Sequence, residues 1–235
     1  MAWWEKNMFV PYGLYPEELG EMLSASAQEP KSFAFADLDT LSDSFVIKVK
    51  GQASDTGEIW WHQRRLDLTG RLFEAQRMII PFSAQGRGKG RLLMADLVET
   101  AKRLGIRQID IEAQDIGGYA WARFGFLPDR GSWKFQVSLE ARRRLLRARP
   151  RIEPRRFTYY SDVLDSDDPA SIRVVASWRD RIDSLEYDAN GNALEVELGK
   201  ALLLETSAQW FGSFDLDDPQ TMAVYREYVR SLEDG

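Results

Sequence analysis

Residues 85–90, Gln85-Gly86-Arg87-Gly88-Lys89-Gly90, set three glycines and two cations at the head of an amphipathic run. Glycines let the backbone turn with its N–H groups pointing inward and let a ligand come close to the chain. A helix that starts there adds the positive end of its dipole. Arg87, Lys89 and Arg91 add charge around it. This combination suits an anion such as a pyrophosphate. A Walker phosphate loop needs Gly-x4-Gly-Lys-Ser/Thr, but Gly90 follows Gly88-Lys89 and Ser83 stands in the first glycine's place, so that reading fails. A dinucleotide fingerprint, Gly-x-Gly-x-x-Gly, ends on Arg91 when counted from Gly86 and on Leu93 when counted from Gly88, and fails too. The pattern Gln/Arg-x-x-Gly-x-Gly/Ala is met in full by Gln85, Gly88 and Gly90. A glycine-rich surface turn that holds no ligand is the competing reading.

The chain offers few other groups for chemistry. It has 235 residues, no cysteine and a single histidine, His62. Disulfides, a thiol nucleophile and thiolate or His-cluster metal sites are therefore excluded, and a His-based triad is disfavoured. Composition is ordinary for a globular protein, 44% hydrophobic and 29% charged. No apolar run approaches a membrane span, and MAWWEKNMFV lacks the order of a secretory signal, so a cytoplasmic location is the expectation.

The elements that must position residues 85–90 follow from periodicity. Pro16, Glu17 and Glu18, then Leu19, Met22 and Leu23, predict a helix over residues 15–26. From Phe45 the period falls to two, with Phe45, Ile47 and Val49 opposite Lys48 and Lys50, which predicts a strand. Residues 52–57 and 67–70 read as turns, separating further strands at 58–66 and 71–80, an antiparallel meander. Leu93, Leu97, Ala101 and Leu104 then form one stripe of a helix that stops at Gly105. The alternating residues 108–113 give a strand parallel to the one before the helix. A short helix near 116–124 and a strand near 133–137 complete the expected domain.

Strand, glycine loop, long amphipathic helix and strand in that order resemble the acetyl-CoA-binding heart of the GNAT N-acetyltransferase superfamily. A second segment, Tyr119-Ala-Trp-Ala-Arg-Phe-Gly-Phe126, resembles that family's closing Tyr-x-x-x-Gly-Phe motif. The resemblance runs from about residue 44 to 138. It implies an α/β fold, a GNAT-like mixed, splayed β-sheet flanked by helices, with an α-rich C-terminal extension. It implies acetyl transfer from acetyl-CoA, as cosubstrate and without a metal, to an amine of a protein or a small cationic acceptor. The cofactor residues it implies are Met78, Ile79 and Ile80 at the end of the strand before the loop, then Gln85, Gly86, Arg87, Gly88, Lys89, Gly90 and Arg91. Gln114 falls where relatives often carry an Asn that bonds the cofactor. Such a site needs alignment, a sink for the amine proton and polarisation of the thioester carbonyl.

Glu74 is the base candidate, on a strand face shared with Leu72, Gln76, Met78 and Ile80; a solvated partner of a neighbouring Arg is the alternative. Asp110 and Glu112 read as the polar face of a strand, and His62 as a partly buried strand residue. The family's tyrosine, the acid for the departing thiolate, falls on Trp121, whose indole N–H donates a hydrogen bond but gives up no proton at useful pH. Tyr119 lies about 200° away around a regular helix, but an irregular turn at Gly117-Gly118 would let it act as the catalytic group, with Trp121 a cofactor-binding candidate. Either thiolate protonation by water or a catalytically impaired, CoA-binding interaction protein follows.

Charge divides the chain into three: net −2 over residues 1–140, +7 over 141–156 and −11 over 157–235. The expected organisation is a GNAT-like acyl-CoA-binding domain at 1–139, an Arg-rich helical connector at 140–156 and an acidic module at 157–235. The arginines suit docking against the acidic tail better than nucleic-acid binding. The tail's apolar positions can bury a homodimer contact, and its charge suits cationic partners. No membrane partner is expected.

Overall fold

The computed structural model describes residues 2–53, 57–85, 87–114, 117–206 and 208–230. The chain divides into two compact units. The first holds the residues up to Ile111, joined by 215–222 and the end of the last helix. The second holds residues 112–214 and 223–225.

The first unit is built on five strands: β1 (Lys31–Asp39), β2 (Ser44–Gln52), β3 (Ile59–Asp67), β4 (Leu72–Ile79) and β5 (Gln108–Ala113), the last reaching into the second unit. β1 to β4 form an antiparallel meander. β5 runs parallel to β4, because a helix joins them as a crossover. Helix α1 (Pro16–Met22) starts with proline at its first position, and Glu18 reaches back to accept from the Tyr15 amide at 2.6 Å. Helix α2 (Lys89–Arg103) is the crossover. Its stripe Leu93, Leu97, Val98 and Ala101 is buried against the sheet's inner face, where Ile47, Val49, Trp60, Leu66, Phe73 and Ile109 are equally enclosed. Each large side chain in that layer contributes roughly 1.5–3 kcal/mol by leaving water. Asp96, off the stripe, accepts from Ser26 N at 3.0 Å and Ser26 Oγ at 2.5 Å, tying the chain after α1 to α2.

The sequence reading missed β1. Its alternating Phe33 and Phe35 were the available signal, but most of the strand is exposed and only one edge pairs.

The second unit comprises α3 (Gly117–Phe124), β6 (Leu127–Pro128), α4 (Ser138–Ala148), α5 (Pro154–Asp165), α6 (Ser171–Ala176), the hairpin β7 (Arg181–Tyr187) and β8 (Ala193–Glu197), α7 (Leu198–Leu204) and most of β9 (Trp210–Asp215). The last helix, α8 (Pro219–Arg230), is shared between the two groupings.

The expected strand at 133–137 is corrected: the chain is helical throughout 130–148. Asp129 caps this helix, accepting from the Ser132 amide at 2.7 Å. The helical turn buries Trp133 and Val137 together and leaves Phe135 70% exposed, so the apparent alternation of these residues was helical spacing.

The basic stretch is folded onto the acidic residues that follow it. Arg142 pairs with Asp165, Arg144 with Glu205 at 2.7 Å, Arg151 with Asp183 at 2.8 Å and Arg156 with Asp180 at 2.5 Å. Arg149 lies over the Phe157 ring. Electrostatic docking thus engages Arg142, Arg144, Arg151 and Arg156. Among the described residues no helix is long and apolar enough to cross a membrane.

Candidate functional site

β4 and β5 pair only from Leu72–Gln108 to Ala75–Ile111. Among the described residues β4 has no β5 partner from Gln76 onward. On its other side β4 carries an extra residue: Gln63 lies across from Arg77 and Arg65 across from Glu74, so Ala75 and Gln76 together face the single Arg64. Such a bulge bends the strand and strengthens its twist.

The bulge overturns one expectation. A strict period of two puts Glu74 and Met78 on the same face. In the structure Met78 lies opposite inner-face His62, while Glu74 lies opposite outer-face Arg65 and beside Asp110. Ile79, opposite Trp61, also takes the outer face.

Residues 80–85 and Gly90 close against the end of β4. The amides of Ala84 and Gln85 donate to Pro81 O at 2.9 and 3.1 Å, and Gln85 Nε2 donates to Ile80 O at 3.0 Å. Gly88, just before α2, sits at φ 83°, a conformation that favours glycine. Its carbonyl accepts from the Arg91 and Leu92 amides. The Lys89 and Gly90 amides, at the first two helical positions, have no acceptor within the helix. A Cβ on Gly90 would stand 3.1 Å from Ile80 Cδ1 and 3.8 Å from Met78 Cε. The structure thus brings Met78, Ile80, Gln85, Gly88, Lys89 and Gly90 together; Gly86 lies outside the described residues.

The cations of the loop differ in placement. The Lys89 ammonium bonds Glu29 and lies 4.9 Å from the Trp60 ring centroid, and burial lowers its pKa. Glu29 also accepts from Trp60 Nε1 at 2.7 Å. Nothing in the sequence paired Glu29 with Lys89, since Glu29 sits between elements with no periodic neighbour. Arg91 places its guanidinium 5.0 Å from the Tyr228 ring centroid, and Arg87 is exposed.

Glu74 is half-buried and accepts from Gln76 Nε2 at 3.3 Å. Asp110, across from it, accepts from Gln108 Nε2 at 2.7 Å. Burial pushes the Asp110 carboxyl up, the Gln108 bond opposes this, and the charge of Glu74 adds to the rise. Two carboxyls side by side on a half-buried strand face can accept a proton or a cation.

Gln114, Tyr119 and Trp121 lie in the second unit. Gln114 donates to Glu112 at 2.7 Å. Arg123 donates to the Tyr119 hydroxyl at 3.4 Å. Trp121 is buried in its own unit, its ring 5.1 Å from that of Phe126 and 5.9 Å from that of Phe124. Among the described residues no group of three or more His, Asp or Glu converges as a metal-ligand set.

No family model matches the chain, and no curated protein matches it. A solved structure, the crystal structure of nourseothricin acetyltransferase, aligns at a TM-score of 0.31 and 22% identity over 37% of this chain. The aligned part spans about half of that protein, 52% of its length. A likeness this small assigns no residue of this chain. The functional weight stays with the separated strands and the glycine loop at the end of β4.

Proposed function

We propose that the chain is an acetyl-CoA-dependent N-acetyltransferase of the GNAT kind, acting on an amine of a protein or a small cationic molecule. One observation carries this reading: β4 leaves β5 after Ala75, and the glycine loop closes against the end of the strand freed in this way. The residues present fit acetyl-CoA. Lys89 and Gly90 offer to a diphosphate first-turn amides that have no acceptor within the helix, and the close packing of Gly90 on Ile80 and Met78 lets the backbone come near it. The edge of 76–79, with no β5 partner among the described residues, offers peptide groups to an extended, amide-bearing arm. When bound, acetyl-CoA supplies the activated acyl group. Glu74 and Asp110 supply negative charge for a cationic amine and a sink for its proton.

The test is thiol release from acetyl-CoA with polyamines and lysine-rich peptides as acceptors, read together with acetyl-lysine mass spectrometry. Transfer above a heat-inactivated control supports the reading, and background rates with every acceptor count against it. A second reading, a CoA-binding protein with impaired catalysis, is favoured by Trp121, which fills the place of the family's acid and is enclosed by aromatic rings. Calorimetric binding of CoA without thiol release would distinguish it.

A further inference from the structure

On the inner face of the sheet, in a layer otherwise apolar, stand His62 and Arg64 on β3, both 1% exposed. By register His62 lies between Val49 and Met78, and Arg64 lies beside Ile47 and opposite the β4 bulge. Arg64 Nη1 makes two long contacts, 3.4 Å to Gln63 O and 3.5 Å to Arg77 O. Arg64 Nε and Nη2 are buried with no partner among the described residues, and the buried ring nitrogens of His62 have at most a weak bond to the Leu23 main chain.

A guanidinium keeps its proton even when enclosed. Burial here lowers the Arg64 pKa only to about 9, so the side chain is cationic at neutral pH. Burial also holds the His62 pKa well below its ordinary value, with the Arg64 charge acting in the same direction and a hydrogen bond to the Leu23 main chain opposing both. His62 is therefore neutral and presents one N–H donor. A buried charge is stable only when it is neutralised and its donors are satisfied. Main-chain carbonyls at 3.4 and 3.5 Å do neither. What fits is a small anion able to take N–H donors from Nε and Nη2 of Arg64, with the His62 ring two residues along the same strand face.

We propose that Arg64 and His62 form an internal site for a small monovalent anion, a halide or a formate-sized carboxylate, beneath the bulge of β4. The site is independent of acyl transfer, and a protein that binds no acyl-CoA still carries it.

The test compares thermal unfolding of the whole chain in sodium chloride, bromide, formate and gluconate at one ionic strength and neutral pH. Gluconate is too large to enter. Chloride and bromide raising Tm above gluconate by about 3–6 °C at roughly tenfold excess over Kd identifies the halide, and the same shift in formate alone identifies the carboxylate. Arg64→Met removes the difference between salts. A bromide-soaked crystal of the unaltered protein gives an anomalous peak within hydrogen-bonding reach of the guanidinium. Equal Tm in all four salts, a salt difference that survives in Arg64→Met, or, where bromide raises Tm, a bromide map with no peak beside Arg64 overturns the proposal. If Arg64→Met does not fold, the salt series and the bromide map of the unaltered protein decide.

Discussion

Gly88→Ala and Gly90→Ala separate a glycine that the backbone needs from one that a ligand needs. At φ 83°, an L-residue at position 88 costs about 1–2 kcal/mol, and the stiffer unfolded chain offsets about 0.4–1 kcal/mol of it. The net loss, about 1 kcal/mol, lowers Tm by about 2–4 °C in a protein of this size. Gly90 has no positive φ, and its would-be Cβ meets the end of the Ile80 side chain at 3.1 Å, a tight contact with an atom that can move. Alanine there gains up to about 1 kcal/mol of helix propensity, so stability stays level or rises by a few tenths of a kcal/mol. The same methyl narrows the approach to the first-turn amides, and acyl-CoA affinity falls tenfold or more, about 1.4 kcal/mol. Urea denaturation and calorimetric titration with acetyl-CoA read the two effects separately. Unaltered affinity in a Gly90→Ala protein of unaltered stability refutes the cradle, and unaltered stability in Gly88→Ala refutes the backbone argument.

Lys89→Met leaves the acetyl-CoA Kd within about twofold, since Glu29 already engages the ammonium, while removing a charge-assisted bond worth about 1.5–3 kcal/mol before screening; titration and thermal melting check both. Asp110 has a folded-state pKa above its unfolded one, so it lowers stability once pH rises through the folded value. Asp110→Asn therefore raises Tm at pH 7, and melts at decreasing pH show the gain vanishing below about 3.9, the ordinary carboxyl value. Arg144→Met leaves Glu205 enclosed without its guanidinium and costs about 3–5 kcal/mol by urea denaturation, whereas Arg143→Met, at an exposed pair, costs less than about 1 kcal/mol.

Period-two and period-3.6 patterns made β2 to β5 and α2 legible because each buries one face, and the burial of Ile47, Val49, Leu93 and Leu97 is what those patterns encode. The loop at 85–90 was legible because glycine and charge are local signals. Residues 133–137 misled because Trp133, Phe135 and Val137 satisfy a strand template over five positions, and only Asp129 as an N-cap marked the helix. The bulge in β4 has no local signature: Ala75 and Gln76 are ordinary strand residues, and what makes them a bulge is their register with Arg64 on another strand. Glu29 was invisible for the same reason, since its partners Lys89 and Trp60 lie 60 and 31 residues away. Arg64 shares an alternating row with Trp60, His62 and Leu66 on β3, but the sequence analysis drew no expectation from it, and its burial shows only in the structure.

The bulge also explains how the end of β4 meets the loop. Without the extra residue, strict alternation from Glu74 would carry Gln76, Met78 and Ile80 to the outer face, away from α2. With it, Met78 turns inward opposite His62, and Ile80 reaches Gly90. The same step in register marks where β4 ceases to pair with β5, so the freed edge and the closed loop have one origin. Two residues opposite one also leave the Arg64 side chain facing main-chain carbonyls rather than a regular ladder, as its contacts with Gln63 O and Arg77 O show. Restoring regular alternation by deleting Gln76 would therefore disturb the freed edge, the Gly90 contact and the surroundings of Arg64 together, because all three depend on one register shift.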